Sequence, residues 1–196
     1  IGVTGVQTCA LPIFQYNLSA QLSDSRIINI SGKQRMLSQK LTKEILILNF
    51  VSDTTKSNEE IIRINETINL WKYNHYALEN GNDSLGFPKK KSPKLTQLFI
   101  AIKPNFDTII KASNQFLANK KAHINDAENK KLVETILENE AIFLDKMNQI
   151  VGEYDNEALK KVTLQSKTEY AILLFTLFVL LLEFLFIFKP TNKKIE

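Results

Sequence analysis

Tyr170 to Phe188 reads YAILLFTLFVLLLEFLFIF, and only Thr176 and Glu183 interrupt its apolar run. About 20 apolar residues carry an α-helix across the hydrocarbon core of a bilayer. Lys189, Lys193 and Lys194 follow at once, and Pro190 ends the helix. Positive charge directly after a span marks the cytoplasmic side. The reading is therefore a membrane anchor at residues 169–189, a cytoplasmic stub at 190–196, and an extracytoplasmic domain before them. Glu183 lies near the cytoplasmic end of the span, where it reads either as a functional group or as a tolerated interfacial acid.

Upstream of the span the apolar residues recur every three and four positions, the period of an amphipathic helix. A first helix is predicted over about Tyr16–Phe50. A second, over about Asn58–Glu79, carries the stripe Ile61, Ile64, Ile68, Trp71, His75, Leu78. Asn80 to Pro93 contains Gly81, Gly86, Pro88 and Pro93 and reads as a loop. The third helix, about Pro93–Asn119, has Leu95, Leu98, Phe99, Ile102, Phe106, Ile109, Ile110, Phe116 and Leu117 as its stripe, with Pro104 expected to kink or divide it. A fourth begins near Asp126, with Val133, Ile136, Leu137, Leu144, Met147, Val151, Tyr154, Ala158 and Val162 assigned to its buried face. No Gly or Pro occurs between Gly152 and Pro190, so this helix can run unbroken into the membrane. No β-alternation competes. The fold class is all-α: an antiparallel four-helix bundle continuing into a C-terminal transmembrane helix.

The composition excludes several classes of function. The chain has 196 residues, a net charge of +4 and one cysteine, Cys9, so neither an internal disulfide nor a thiolate metal site can form. Di-iron bundles need Glu-x-x-His pairs, and none is present. Haem-attachment, phosphate-loop and nucleophile motifs are also missing from the sequence. No catalytic residue, cofactor or metal ligand is assigned, and an enzymatic output would lie beyond Glu196. Of the two histidines, His75 sits in an apolar stripe and reads as a neutral core residue. His123 lies at a polar junction and reads as solvated. Nucleic-acid binding is excluded by the expected topology.

Val3 to Ile13 reads VTGVQTCALPI, which resembles the translation of a short-read sequencing adapter. Residues 1–13 are therefore set apart from the fold as an artefact, and 14–168 is taken as the bundle. The missing initiator Met agrees with a gene fragment, and on that expectation whatever preceded Phe14, including any first transmembrane helix, is lost.

The chemically informative stretch is Ser25 to Lys43. It contains no acid and five bases, Arg26, Lys33, Arg35, Lys40 and Lys43. One face, Ile30, Leu37, Leu41, Ile45 and Leu48, is expected to pack inward. Arg35 lies on another face, and its helical neighbours Ser31, Gly32, Ser38 and Gln39 are small or polar. Small residues allow a second helix to approach closely. A guanidinium with no carboxylate within one turn on its own helix presents a planar fork that suits oxyanions. Two copies of Arg35 facing each other across a two-fold axis would repel unless an anion lay between them. Arg35, Gly32, Ser31, Ser38 and Gln39 form the candidate ligand site. A solvated basic face, or salt bridges to acids on another helix, explains the same residues without a ligand.

Asn29-Ile30-Ser31-Gly32-Lys33-Gln34-Arg35-Met36-Leu37-Ser38-Gln39-Lys40 resembles the signature of the PilJ-type sensor domain. That family is the N-terminal domain of type IV pili methyl-accepting chemotaxis transducers, related to the sensor domain of nitrate/nitrite-responsive histidine kinases. Its usual pattern is Asn-x-Ala-Gly-Arg-Gln-Arg-Met-Leu-Ser-Gln-Arg. Ser31 here replaces Ala, while Lys33 and Lys40 replace Arg and lose its bidentate geometry. Trp71, His75 and Leu78 before Asn80-Gly81 resemble the family's second helix and loop. Met147 to Tyr154 resembles its last helix, and Leu182 to Pro190 its membrane exit. The resemblance runs from about Leu18 to the C-terminus. It implies a ligand-binding bundle between two transmembrane helices, acting as a homodimer in the bacterial inner membrane with the sensor domain periplasmic. It also implies that Arg35 contacts nitrate at the dimer interface and that Gly32 marks the helix approach. The competing reading is a membrane-anchored bundle that binds a protein partner and no small ligand.

Overall fold

The computed structural model describes residues 4–50, 54–122 and 126–188, with side chains described within 18–50, 55–122 and 127–186. Four helices follow in order: α1 Thr4–Phe50, α2 Thr54–Asn80, α3 Pro93–Lys121 and α4 Asp126–Glu183. No strand occurs among the described residues; an isolated bridge joins Asn82 to Phe87. The side chains of Val3–Ile13 and the whole of His123 lie outside the described residues, as do the lysines after the span.

The chain forms two compact units, Ile1–Asp155 and Asn156–Glu196. In the first unit the helices run up, down, up, down. At one end Ser23 Oγ donates to the Gly86 carbonyl at 2.7 Å and Arg26 donates to the Leu85 carbonyl at 3.2 Å, tying the start of the bundle's α1 to the α2–α3 loop. Lys94, in the first turn of α3, pairs there with Glu153 of α4. At the other end Lys120 Nζ reaches the Asn49 carbonyl at 3.4 Å.

The stripes expected for α2 and α3 are the ones buried. Ile61, Ile64, Ile68, Trp71, His75 and Leu78 are all buried, as are Leu95, Phe99, Ile102, Phe106, Ile109, Phe116 and Leu117. Leu98 and Ile110 pack at the margin. From α1, Leu37, Leu41, Ile45 and Leu48 are buried, and Ile30 packs beside them. The centre is aromatic. Trp71 meets Phe106 and Phe143 edge-on at ring-centroid distances of 4.8 and 4.9 Å. Phe106 stacks on His75 at 3.8 Å. These rings join α2, α3 and α4, and truncating a fully buried Trp to Ala typically costs about 3–5 kcal/mol.

Two expectations about the helices are corrected and another is narrowed. Pro104, expected to kink or divide α3, lies inside it without dividing it. Proline removes one helical N–H and crowds the carbonyl one turn back; beside this turn Lys146 Nζ of α4 donates to the Ala101 carbonyl at 2.7 Å and to Asn105 Oδ1 at 2.8 Å. Second, α2 begins at Thr54, before Asn58. Its first turn is polar and carries no periodicity to read. Third, the buried face of α4 is Val133, Ile136, Phe143, Met147 and Ile150; Leu137 and Val162 are exposed, and Leu144 and Val151 lie at its edge. Glu140 occupies the seam between Ile136 and Phe143, and an acid within an apolar stripe shifts the apparent phase of the pattern toward the flanking leucines.

The α2–α3 loop is more ordered than its composition suggests. Asn82 accepts from Leu85 N at 3.0 Å to cap a short 3-10 turn, Asp83–Leu85, and Phe87 is buried beneath it. Gly81 has φ 81°, and a Cβ there would stand 2.7 Å from the Lys89 Cα, so only glycine fits.

The second unit is the remainder of α4 followed by a five-residue π-helical turn, Phe184–Phe188, just before Pro190. Its apolar side chains are exposed, including Leu174, Phe175, Phe178 and Phe186. This helix is long and apolar enough to cross a membrane. Thr176 satisfies its hydroxyl by donating to the Ile172 carbonyl at 2.9 Å, which is how such a group is tolerated in hydrocarbon.

His75 is the neutral core residue expected from the pattern. Burial, aided by the charge of Lys103, pulls its pKa from 6.5 to about 3. Between those values the unfolded chain binds a proton that the folded chain does not. Stability should therefore fall as pH drops through that window, by up to about 1.4 kcal/mol per pH unit. Trp71, the sole tryptophan, reports unfolding directly. In denaturant titrations followed by its fluorescence, His75→Phe is expected to flatten the acid dependence; equal slopes for variant and wild type would contradict the assignment.

Candidate functional site

The basic stretch of α1 divides by position. Arg26 is spent on the loop, and Lys40 pairs with Glu44 one turn away at 3.6 Å. Lys33 and Lys43 are exposed. Among the described residues none of the five bases forms an ion pair with another helix. Arg35 differs from the other four: it is half-buried, and its Nη1 donates across to Asn148 Oδ1 of α4 at 2.6 Å. Its partner is a neutral amide, so its charge is held in place without being cancelled.

An open pocket of about 360 Å³ lies here, lined by Gly32, Arg35, Met36 and Gln39 of α1 and by Leu144 and Asn148 of α4. Three of the five residues singled out from sequence, Gly32, Arg35 and Gln39, thus share one pocket. The other two do not line it. Ser31 and Ser38 are fully buried on the inward side of the helix. Ser38 Oγ donates to the Arg35 carbonyl at 2.9 Å, with Glu140 Oε1 at 3.5 Å. A hydroxyl has one hydrogen, and the shorter contact takes it, leaving the carboxylate at the limit of hydrogen-bonding distance. Burial raises the pKa of Glu140, and the contact with Ser38 only partly opposes this.

Gly32 acts through openness. A Cβ built there would lie 3.7 Å from Arg35 Nη2, an ordinary contact. Alanine is accommodated, whereas a longer side chain would project toward the guanidinium. Met36 and Leu144 form apolar walls beside donors from Arg35, Gln39 and Asn148, a combination suited to a small anion that must shed part of its water. Among the described residues no group of His, Cys, Asp and Glu could hold a metal.

Asn148 and Leu144 were not assigned to the site by the sequence reading. Asn148 stood within the segment resembling the family's last helix, but its pairing with Arg35 spans 113 residues and leaves no local signal.

A family model described as type IV pili methyl-accepting chemotaxis transducer N-terminal, PilJ, matches residues 16–137. The chain belongs to the PilJ family. The match takes in α1 from Tyr16, with all of the α1 side of the pocket, and ends in α4 before Leu144 and Asn148. The family is a non-catalytic signal-input module. No curated protein and no solved structure matches the chain significantly. The PilJ bundle and an apolar helix able to cross a membrane together fit an inner-membrane protein.

The seam acid of this PilJ domain gives a test of the site's electrostatics. With its folded pKa raised, Glu140 contributes stability below its usual value of 4.5 and loses that contribution as pH rises through the folded value. Glu140→Gln should therefore stabilise the bundle at pH 7 relative to its effect in acid. Thermal unfolding at both pH values checks this, and a variant destabilised more at neutral than at acid pH would refute it.

Proposed function

We propose that this chain is the ligand-sensing input module of a bacterial transmembrane receptor, a chemoreceptor or a sensor histidine kinase. In this reading it binds a small oxyanion, nitrate or nitrite first, at a homodimer interface. The observation that carries it is Arg35: half-buried at an open pocket, held by a neutral amide, with no carboxylate partner among the described residues. A cation built into a structure in this way is poised to meet an anion.

Two Arg35 side chains facing each other across a two-fold axis repel, and an anion between them converts repulsion into attraction. Each charge-assisted hydrogen bond contributes about 1.5–3 kcal/mol before desolvation is counted. The ligand must bind one arrangement of helices better than the other, since only differential affinity shifts an equilibrium. Helix α4 carries both a wall of the pocket, at Leu144 and Asn148, and the apolar stretch from Tyr170. Displacements of about 1–2 Å between packed helices are a known scale for signalling, and α4 is the element that would transmit one. The sensor bundle is periplasmic in this scheme, and Lys189, Lys193 and Lys194 are cytoplasmic. The output domain, whether methyl-accepting, kinase or cyclase, would follow the span.

Calorimetry on the chain in lipid nanodiscs, with nitrate, nitrite, sulfate and chloride, is expected to show binding of at least one oxyanion. Arg35→Ala should abolish it, and Arg35→Lys should weaken it, because a point charge cannot replace the planar fork. Equal binding by wild type and Arg35→Ala would place the site elsewhere. Absence of anion binding would favour a bundle that recognises a protein partner.

Topology is tested separately. In a Cys9→Ser background, a single cysteine at exposed Lys121 should react with an impermeant reagent in spheroplasts, while one at Asn192 should be protected. The reverse pattern would overturn the orientation.

A further inference from the structure

We infer that Asn148 is the positioning residue for Arg35 and a second ligand donor, so that each protomer's share of the anion site is built by α1 and α4 together. The inference rests on the oxyanion reading above and extends it to a residue outside the signature motif and outside the family match.

Arg35 has a long, flexible side chain, and a free guanidinium on a helix surface samples many orientations. Here one nitrogen is fixed at 2.6 Å by Asn148 Oδ1. Arginine has only donors, so the amide oxygen must face it, and the amide nitrogen is thereby turned away. That nitrogen bonds to none of the described residues, and Asn148 itself lines the pocket. The remaining N–H groups of Arg35 and the N–H groups of Asn148 are thus available to the same 360 Å³ space. An oxyanion with oxygens about 2 Å apart can accept from both, since bidentate and adjacent donors suit such a planar group.

The residue type is decisive. A carboxylate at position 148 would fit the same volume and hold Arg35 more strongly, but it would cancel its charge and present acceptors to an incoming anion. An amide orients the guanidinium and leaves its charge uncompensated. A ligand held by both side chains also ties α1 to α4 within one chain, so its arrival acts on the helix that carries the apolar stretch from Tyr170.

The test is nitrate, nitrite and sulfate titration of the nanodisc-reconstituted chain and its variants, with Trp71 fluorescence and thermal unfolding as fold controls. Asn148→Ala should lower affinity about tenfold, the loss of one charge-assisted contact. Asn148→Asp should lower it further, although it preserves size and the link to Arg35. A purely structural role gives the opposite order, with Asp milder than Ala. In an Arg35→Ala background neither substitution should matter further. Wild-type binding abolished by Arg35→Ala but unchanged within about twofold by Asn148→Asp would overturn this inference and leave the oxyanion reading standing. If Asn148→Asp does not fold, affinity of Asn148→Ala within the same limit overturns it. If wild type takes up none of the three anions, the oxyanion reading falls and this inference falls with it.

Discussion

The packing of Trp71 against Phe106 and Phe143, with His75 stacked beneath Phe106, is the contact on which the bundle depends. It draws side chains from α2, α3 and α4 into one fully buried cluster. Large rings in edge and stacked contact have few alternative arrangements, and a close-packed interior does not deform continuously. The cluster also explains the state of His75. No described group accepts or donates a hydrogen bond to either ring nitrogen, and the imidazole remains neutral because a charge in that surround is too costly.

The contact between α1 and α4 beside the pocket is of another kind. Arg35 bonds to Asn148 there at 2.6 Å, and Ser38 stands 3.5 Å from Glu140. Ser31, Gln34 and Thr42 bury polar atoms of α1 without partners among the described residues, each at a cost of order 1–3 kcal/mol. The bundle is thus joined in one place by rings and in another by small and polar groups. A sensor needs such a division: a rigid frame, and a seam whose energy depends on what is bound. Membership of the PilJ family agrees with that use, and Arg35 stands at the open edge of the polar seam.

Much of this was legible from residues alone, because helices and membrane spans obey local rules. A period of three and four identified the buried faces of α2 and α3 residue by residue. Gly81 and Gly86 marked the loop, and an apolar run broken only by Thr176 and Glu183 marked the helix able to cross a membrane. The motif around Arg35 announced itself by lacking acids and by resembling a known signature. The reading slipped within α3 and α4. Pro104 was expected to kink or divide α3, and the helix runs through it undivided. On α4, Val133, Ile136 and Met147 are buried as expected, while Leu137 and Val162 are exposed and Phe143 and Ile150 take the buried places.

The sequence by itself determined an all-α bundle, an apolar helix able to cross a membrane, the family, and Arg35 as the residue of interest. The bundle and the apolar helix follow from spacing along the chain, which fixes which side chains share a helix face; the family follows from the resemblance of the motif around Arg35 to its signature. Only the tertiary structure decided that Ser31 and Ser38 turn inward while Gly32, Arg35 and Gln39 open to a pocket, and that Asn148, 113 residues away, completes it. Which neighbour a helix face meets is settled by the packing of the whole bundle, and that information is distributed over the chain and absent from any local stretch of it.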